Sequence, residues 1–89
     1  LLSRRTQYDL ANELFRQGDH QTAATAYELF LEGYPKDPEI SVVRLMLGLL
    51  KARYLNDPVA AKQQINEALP SLPDDDHKAL ARELLAELG

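Results

Sequence analysis

Apolar positions recur along the chain with the three-to-four-residue rhythm of helices, and no segment alternates with period two over a strand's length. From about Ser3 to Gln17, the residues Gln7, Tyr8, Leu10, Ala11, Leu14 and Phe15 share one arc, and Arg5, Asp9, Asn12 and Arg16 fall opposite. This predicts an amphipathic helix, which Gly18 is placed to end in the left-handed conformation that suits glycine. A second stripe of Ala23, Ala26, Tyr27, Phe30 and Leu31 runs from about His20 to Glu32, where Gly33 and Pro35 stop it; its alanines permit close approach of a neighbour. A third helix is expected from Asp37 as N-cap, with Pro38 at the first helical position, to about Tyr54. Its apolar arc (Val42, Val43, Leu45, Met46, Leu47, Leu49, Leu50, Ala52 and Tyr54) spans about 220° and leaves only Arg44 and Lys51 as a solvent stripe. Such a helix must be sandwiched between neighbours or present a sticky surface. The fourth repeats the Asp57-Pro58 start and runs to about Leu69 along Ala61, Ile65, Ala68 and Leu69, with Pro70 ending it. The fifth opens in Asp74-Asp75-Asp76 and continues to about Leu88 along Leu80, Ala81, Leu84, Leu85 and Leu88. Connections of a few residues make the five helices antiparallel neighbours in an all-α fold.

The pattern repeats. Ala23 and Ala61 lie 38 residues apart, as do Tyr27 and Ile65, Phe30 and Ala68, and Pro35 and Pro73, while Leu10-Ala11 precede Leu47-Gly48 by 37. The stretch LANELFRQGDHQTAATAYELFLEGYP resembles a tetratricopeptide repeat, a unit of about 34 residues built from two antiparallel helices. Ala11 stands at the small-residue contact between the two helices, Gly18-Asp19 at the turn, Ala23 at the close-packed alanine, Tyr27 at the aromatic and Pro35 at the terminating proline. Phe30 departs from the usual alanine and Gln7 from the early tryptophan, and the glycine turn is replaced in the second unit by Leu55-Asn56-Asp57-Pro58. The resemblance implies a right-handed array of antiparallel helical hairpins in a single domain over 1–89, with one repeat at about 4–36, a second at about 38–73 and a capping helix at about 75–88.

Composition narrows the function. The chain is 45% hydrophobic and 27% charged, with a net charge of −4 and no cysteine. An acidic domain argues against a nucleic-acid binder, which needs a basic face. The missing cysteines remove disulfides and thiolate chemistry and fit a cytoplasmic location. No apolar run approaches the roughly 20 residues of a membrane span, so no direct insertion by this segment is expected. Because the chain begins with Leu1, we expect it to be part of a longer protein.

Candidate chemistry is sparse. Asp74-Asp75-Asp76-His77 offers three carboxylates and an imidazole, but the 12-residue calcium-loop pattern is absent, and capping of a helix N-terminus is the stronger reading. His20 beside Asp19 has no nucleophile placed to use it and reads as a packing residue. We expect no enzyme activity and no cofactor. The resemblance instead implies protein–protein interaction, a concave groove presented to a peptide or partner helix. The residues implied to face it are Arg5, Tyr8, Asn12 and Phe15 from the first helix, and Met46, Leu49 and Arg53 are candidates from the third. In the family an asparagine at the Asn12 position commonly bonds a peptide backbone; the lysine of its carboxylate clamp would fall on Tyr8. Two units with a cap also leave room for a homo-oligomer. A weaker resemblance, in YELFLEGYPKDPE and RLMLGLLKARYL, is to soluble tails of bacterial membrane proteins, rhomboid-type proteins among them, and implies a structural or dimerising role.

Overall fold

A computed structural model describes residues 3–89. Among these, five α-helices form: α1 (Arg4–Arg16), α2 (His20–Gly33), α3 (Ile40–Arg53), α4 (Pro58–Ala68) and α5 (Asp75–Leu88), with a turn of 3-10 helix at Leu69–Ser71 between the last two. The fold is all-α. Each of the first four helices packs on the next in sequence, and α5 lies against both α3 and α4, a packing consistent with tetratricopeptide-like hairpins.

Helix ends follow from local chemistry. Ser3 caps α1 by accepting from the Thr6 N–H. Gly18, at φ +81°, closes the other end: its N–H bonds the Phe15 carbonyl and the Asp19 N–H the Leu14 carbonyl, the paired pattern of a glycine C-terminus. The corresponding left-handed residue after α3 is Asn56, at φ +52°, 38 positions on and again followed by an aspartate. Asp57 caps α4 through the Ala60 N–H with Pro58 at its start, and Asp74 caps α5 through the His77 N–H. Asp37 corrects the sequence reading. It does not cap α3, which begins at Ile40 with Glu39 as N-cap; its carboxylate accepts from the Glu39 N–H and from Arg4.

The core falls into two clusters divided by α3. One holds Ala11, Ala23, Ala24, Ala26, Tyr27, Phe30, Val43, Leu47 and Leu50; the other holds Leu45, Leu49, Ile65, Ala68, Leu72, Ala81 and Leu84. The broad apolar arc of α3 is therefore that of a sandwiched helix. Its expected solvent stripe is not solvent-facing in isolation: Arg44 pairs with Glu67 of α4 at 3.1 Å, and Lys51 with Glu28 of α2 at 3.6 Å. Two apolar expectations also shift outward, since Leu10 is 42% exposed and Tyr54, past the end of α3, 52%. The helical residues related by 38 positions are buried, Ala23 with Ala61, Tyr27 with Ile65, and Phe30 with Ala68, while the terminating Pro35 and Pro73 are both exposed. Gly48 does for α3 and α4 what Ala11 does for α1 and α2. A Cβ there would sit 2.6 Å from Ile65 Cγ1 and 3.3 Å from the Ala61 carbonyl oxygen, so only glycine permits this helix approach.

Candidate functional site

The polar groups of α1 are held from beneath. The buried Tyr27 hydroxyl of α2 donates to Asn12 Oδ1 at 2.6 Å, which fixes the Asn12 carboxamide on the outer part of α1. Burial raises the Tyr27 phenol well above the ordinary range, so it is a neutral donor at any physiological pH. Tyr8, one turn earlier, is half-buried, with its ring 5.5 Å from Phe30; burial raises its phenol too, while a hydrogen bond from Asn12 acts in the opposite direction. Gln7, where the family often carries tryptophan, is buried and donates to the Ala26 carbonyl at 2.9 Å, so a polar bond between α1 and α2 replaces ring packing.

The N-terminal end of α1 is tied to the α2–α3 turn. Arg4 forks onto Asp37, Nε to Oδ2 at 2.6 Å and Nη2 to Oδ1 at 2.9 Å, and reaches Glu39 at 2.8 Å. Its guanidinium also lies over the Tyr8 and Phe30 rings, at 5.5 and 5.6 Å. The Arg4 bond holds the Asp37 carboxyl below the usual carboxylate range. The large Phe30 is thus explained: it is the platform on which Arg4, Tyr8 and Tyr34 gather.

The expected site residues are not equally available. Arg5 is highly exposed and, among the described residues, pairs with Asp9 at 3.8 Å. Tyr8, Asn12, Phe15 and Met46 are partly exposed. Phe15 packs on both core clusters and so links α1 to the part of α3 carrying Leu45 and Leu49. Leu49 is 7% exposed and belongs to the core. Arg53 is engaged, bonding Glu83 at 2.9 Å and Glu87 at 2.8 Å on α5. Helical geometry, at 100° per residue, sets Val42, Met46 and Arg53 opposite Arg44 and Lys51. Those two reach α4 and α2, whereas on the opposite side Met46 packs on the first core cluster, Val42 on the second, and Arg53 reaches α5.

The two histidines have structural partners. His20 stacks on Tyr54 with ring centroids 3.7 Å apart and meets Phe15 edge-on at 6.5 Å. The Asp74 carboxylate accepts from the His77 backbone N–H at 2.9 Å and meets the ring Nδ1 at 2.8 Å, as the capping reading holds; these contacts lower its pKa. The Arg4–Asp37–Glu39 network and the Tyr27–Asn12 bond were not foreseen. Each joins residues whose meeting depends on how the helices pack. A shallow hollow lined by residues 33–37 adjoins the first network.

Among the described residues no helix is long and apolar enough to cross a membrane. No curated protein and no solved structure matches the chain. The sequence model of the tetratricopeptide repeat matches residues 4–50, which takes in α1, α2 and most of α3. That span is more than half of the 89 residues, and with the helical-hairpin packing it places the chain in the tetratricopeptide repeat family.

Proposed function

We propose that this domain is a protein–protein interaction module of two repeats, α1–α2 and α3–α4, closed by α5. It presents a concave surface built from its first helices to a peptide or partner helix. The repeat division rests on the register of buried positions: Ala11 with Gly48, Ala23 with Ala61, and Tyr27 with Ile65. Arg5, Tyr8, Asn12 and Phe15 of α1, with Met46 and Arg53 of α3, form the contact surface, and Leu49 supports it from below. The observation that carries this reading is the placing of Val42, Met46 and Arg53 on the side of α3 opposite Arg44 and Lys51, which are tied to the second helices. Asn12 adds a polar group already oriented by Tyr27, which lowers the entropy cost of fixing it on a partner.

The test is affinity capture of partners by the wild-type domain, Arg5→Glu and Asn12→Ala, with helicity checked by circular dichroism. Arg5 is exposed enough for the charge reversal to leave the fold intact. Loss of the same captured protein in both variants is expected. Unchanged capture by both overturns the assignment of this surface.

A further inference from the structure

Helix α5 follows Pro70-Ser71-Leu72-Pro73, beyond the 3-10 turn that ends the second hairpin. It packs on α3 and α4, and no α5 residue belongs to the cluster that binds α1, α2 and α3 together. Its apolar hold is one seam, Leu80, Ala81, Leu84, Leu85 and Leu88, of which only Ala81 and Leu84 are fully buried. Two cations clip its C-terminal half, one from each helix beneath. Arg53 of α3 donates through Nη2 to Glu83 at 2.9 Å and to Glu87 at 2.8 Å, and through Nε to Glu87 at 3.2 Å. Lys62 of α4 donates to the Gly89 carbonyl at 2.8 Å. The charged groups stand partly in solvent, where added salt screens them, whereas the seam between α3 and α4 is apolar and closely packed.

We infer that α5 is a latch: it opens from the α3–α4 pair as one unit while α1–α4 stay folded, with the Arg53–Glu83–Glu87 clip setting how often it does so. Opening leaves the first core cluster whole and bares Leu45, Leu49, Ile65, Ala68 and Leu72 of the second. Segments held by few buried side chains open at lower free energy than the global transition, and the clip places that opening under ionic control. The inference shares Arg53 and Leu49 with the proposed partner-binding surface but is argued only from contacts within the chain.

Native-state hydrogen exchange on the full chain tests it. The α5 amides from Lys78 to Leu88 are expected to share one protection level, lower than that of Leu45–Leu50 in α3. Raising NaCl from about 0.05 M to about 0.5 M should speed exchange in α5 selectively, since the screening length falls severalfold. The double variant E83Q/E87Q should speed α5 exchange roughly 2- to 30-fold at low salt, the range for two partly exposed ion pairs, and should abolish most of the salt response. The control Glu28→Gln, which removes the Lys51 pair, should leave α5 unchanged. Equal protection of α5 and α3, or a salt and E83Q/E87Q effect felt equally by both, overturns the latch. The salt titration of the wild-type chain reads the same property without any variant.

Discussion

Gly48→Ala sets two known effects against each other at one atom. Alanine in a helix interior is favoured over glycine by about 1 kcal/mol, so an open site would gain stability. Here the new Cβ would stand 2.6 Å from Ile65 Cγ1, 3.2 Å from Ile65 Cδ1 and 3.3 Å from the Ala61 carbonyl oxygen. Ile65 is completely buried, and Cγ1 lies near the root of its side chain, so rotation alone does not clear the contact. Overpacking of this kind costs about 1–3 kcal/mol, and the net result is a loss of roughly 0–2 kcal/mol. For a domain of this size each kcal/mol moves Tm by about 4–8 °C.

The decisive comparison is a double-mutant cycle. Ile65→Ala alone should cost about 2–5 kcal/mol by leaving a cavity. In that background the Ile65 atoms are gone and only the Ala61 carbonyl oxygen stays close, at 3.3 Å, so the same substitution should stabilise by up to about 1 kcal/mol. The coupling between the two sites is then about 1–3 kcal/mol. Urea unfolding followed by circular dichroism measures all four proteins. A gain of the full helix-propensity term in the wild-type background, or an equal effect in both backgrounds, refutes the requirement for glycine in the approach of α3 and α4.

Three further predictions concern single contacts. Asn56 occupies the left-handed region at φ +52°, so Asn56→Gly should be neutral or stabilise by up to about 1 kcal/mol and Asn56→Val should cost about 1–2 kcal/mol, read from thermal melts. Tyr27→Phe and Asn12→Ala each strip one partner from the 2.6 Å bond and should each cost about 1–2 kcal/mol, while the double variant should cost less than their sum in denaturant titrations. Arg4 lowers the pKa of Asp37, so this carboxylate's contribution is complete above the ordinary value of 3.8 and is lost as pH falls through the lower folded value. Glu87, lowered by Arg53, acts in the same sense from its ordinary 4.5, and Tm should therefore hold from neutral pH to about pH 5 and fall below about pH 4, less steeply in Asp37→Asn.

What the sequence made legible depended on contact range. Helix periodicity, the Asp57 and Asp74 caps, the Gly18 terminator and the alternation of apolar faces are set within a few residues, and they read correctly. Asp37 failed because its local signal, Asp-Pro before an apolar run, matched that of Asp57, while a long-range partner, Arg4, drew the carboxylate away. The left-handed Asn56 does have a local signal. Asparagine is the residue that most readily replaces glycine in that region, and its place 38 residues after Gly18 marks the second turn as a chemical variant of the first. Leu10 shows the limit of a helical wheel, which identifies an apolar arc but not how much of it a neighbour covers.

Contact range also separates the two halves of the proposed surface. The α3 candidates are all engaged within the chain: Leu49 fills the second core cluster, Met46 packs on the first, and Arg53 clips α5. A substitution at any of them changes stability or the docking of α5 along with any contact to a partner, so a lost interaction there has two causes entangled. The α1 candidates divide more cleanly. Among the described residues Arg5 pairs with Asp9, and replacing it alters surface charge without opening the core. Asn12 is coupled to Tyr27, but that coupling is a single hydrogen bond whose cost is measured separately by the Tyr27→Phe variant. If α1 carries the interaction, Arg5→Glu should weaken binding with no change in Tm beyond that of a surface substitution, about 0.5 kcal/mol in stability, and Tyr27→Phe should weaken it in proportion to the freedom it returns to Asn12. Binding lost only in α3 variants, and only with a parallel fall in α5 protection, would instead locate the interaction on the face that α5 covers.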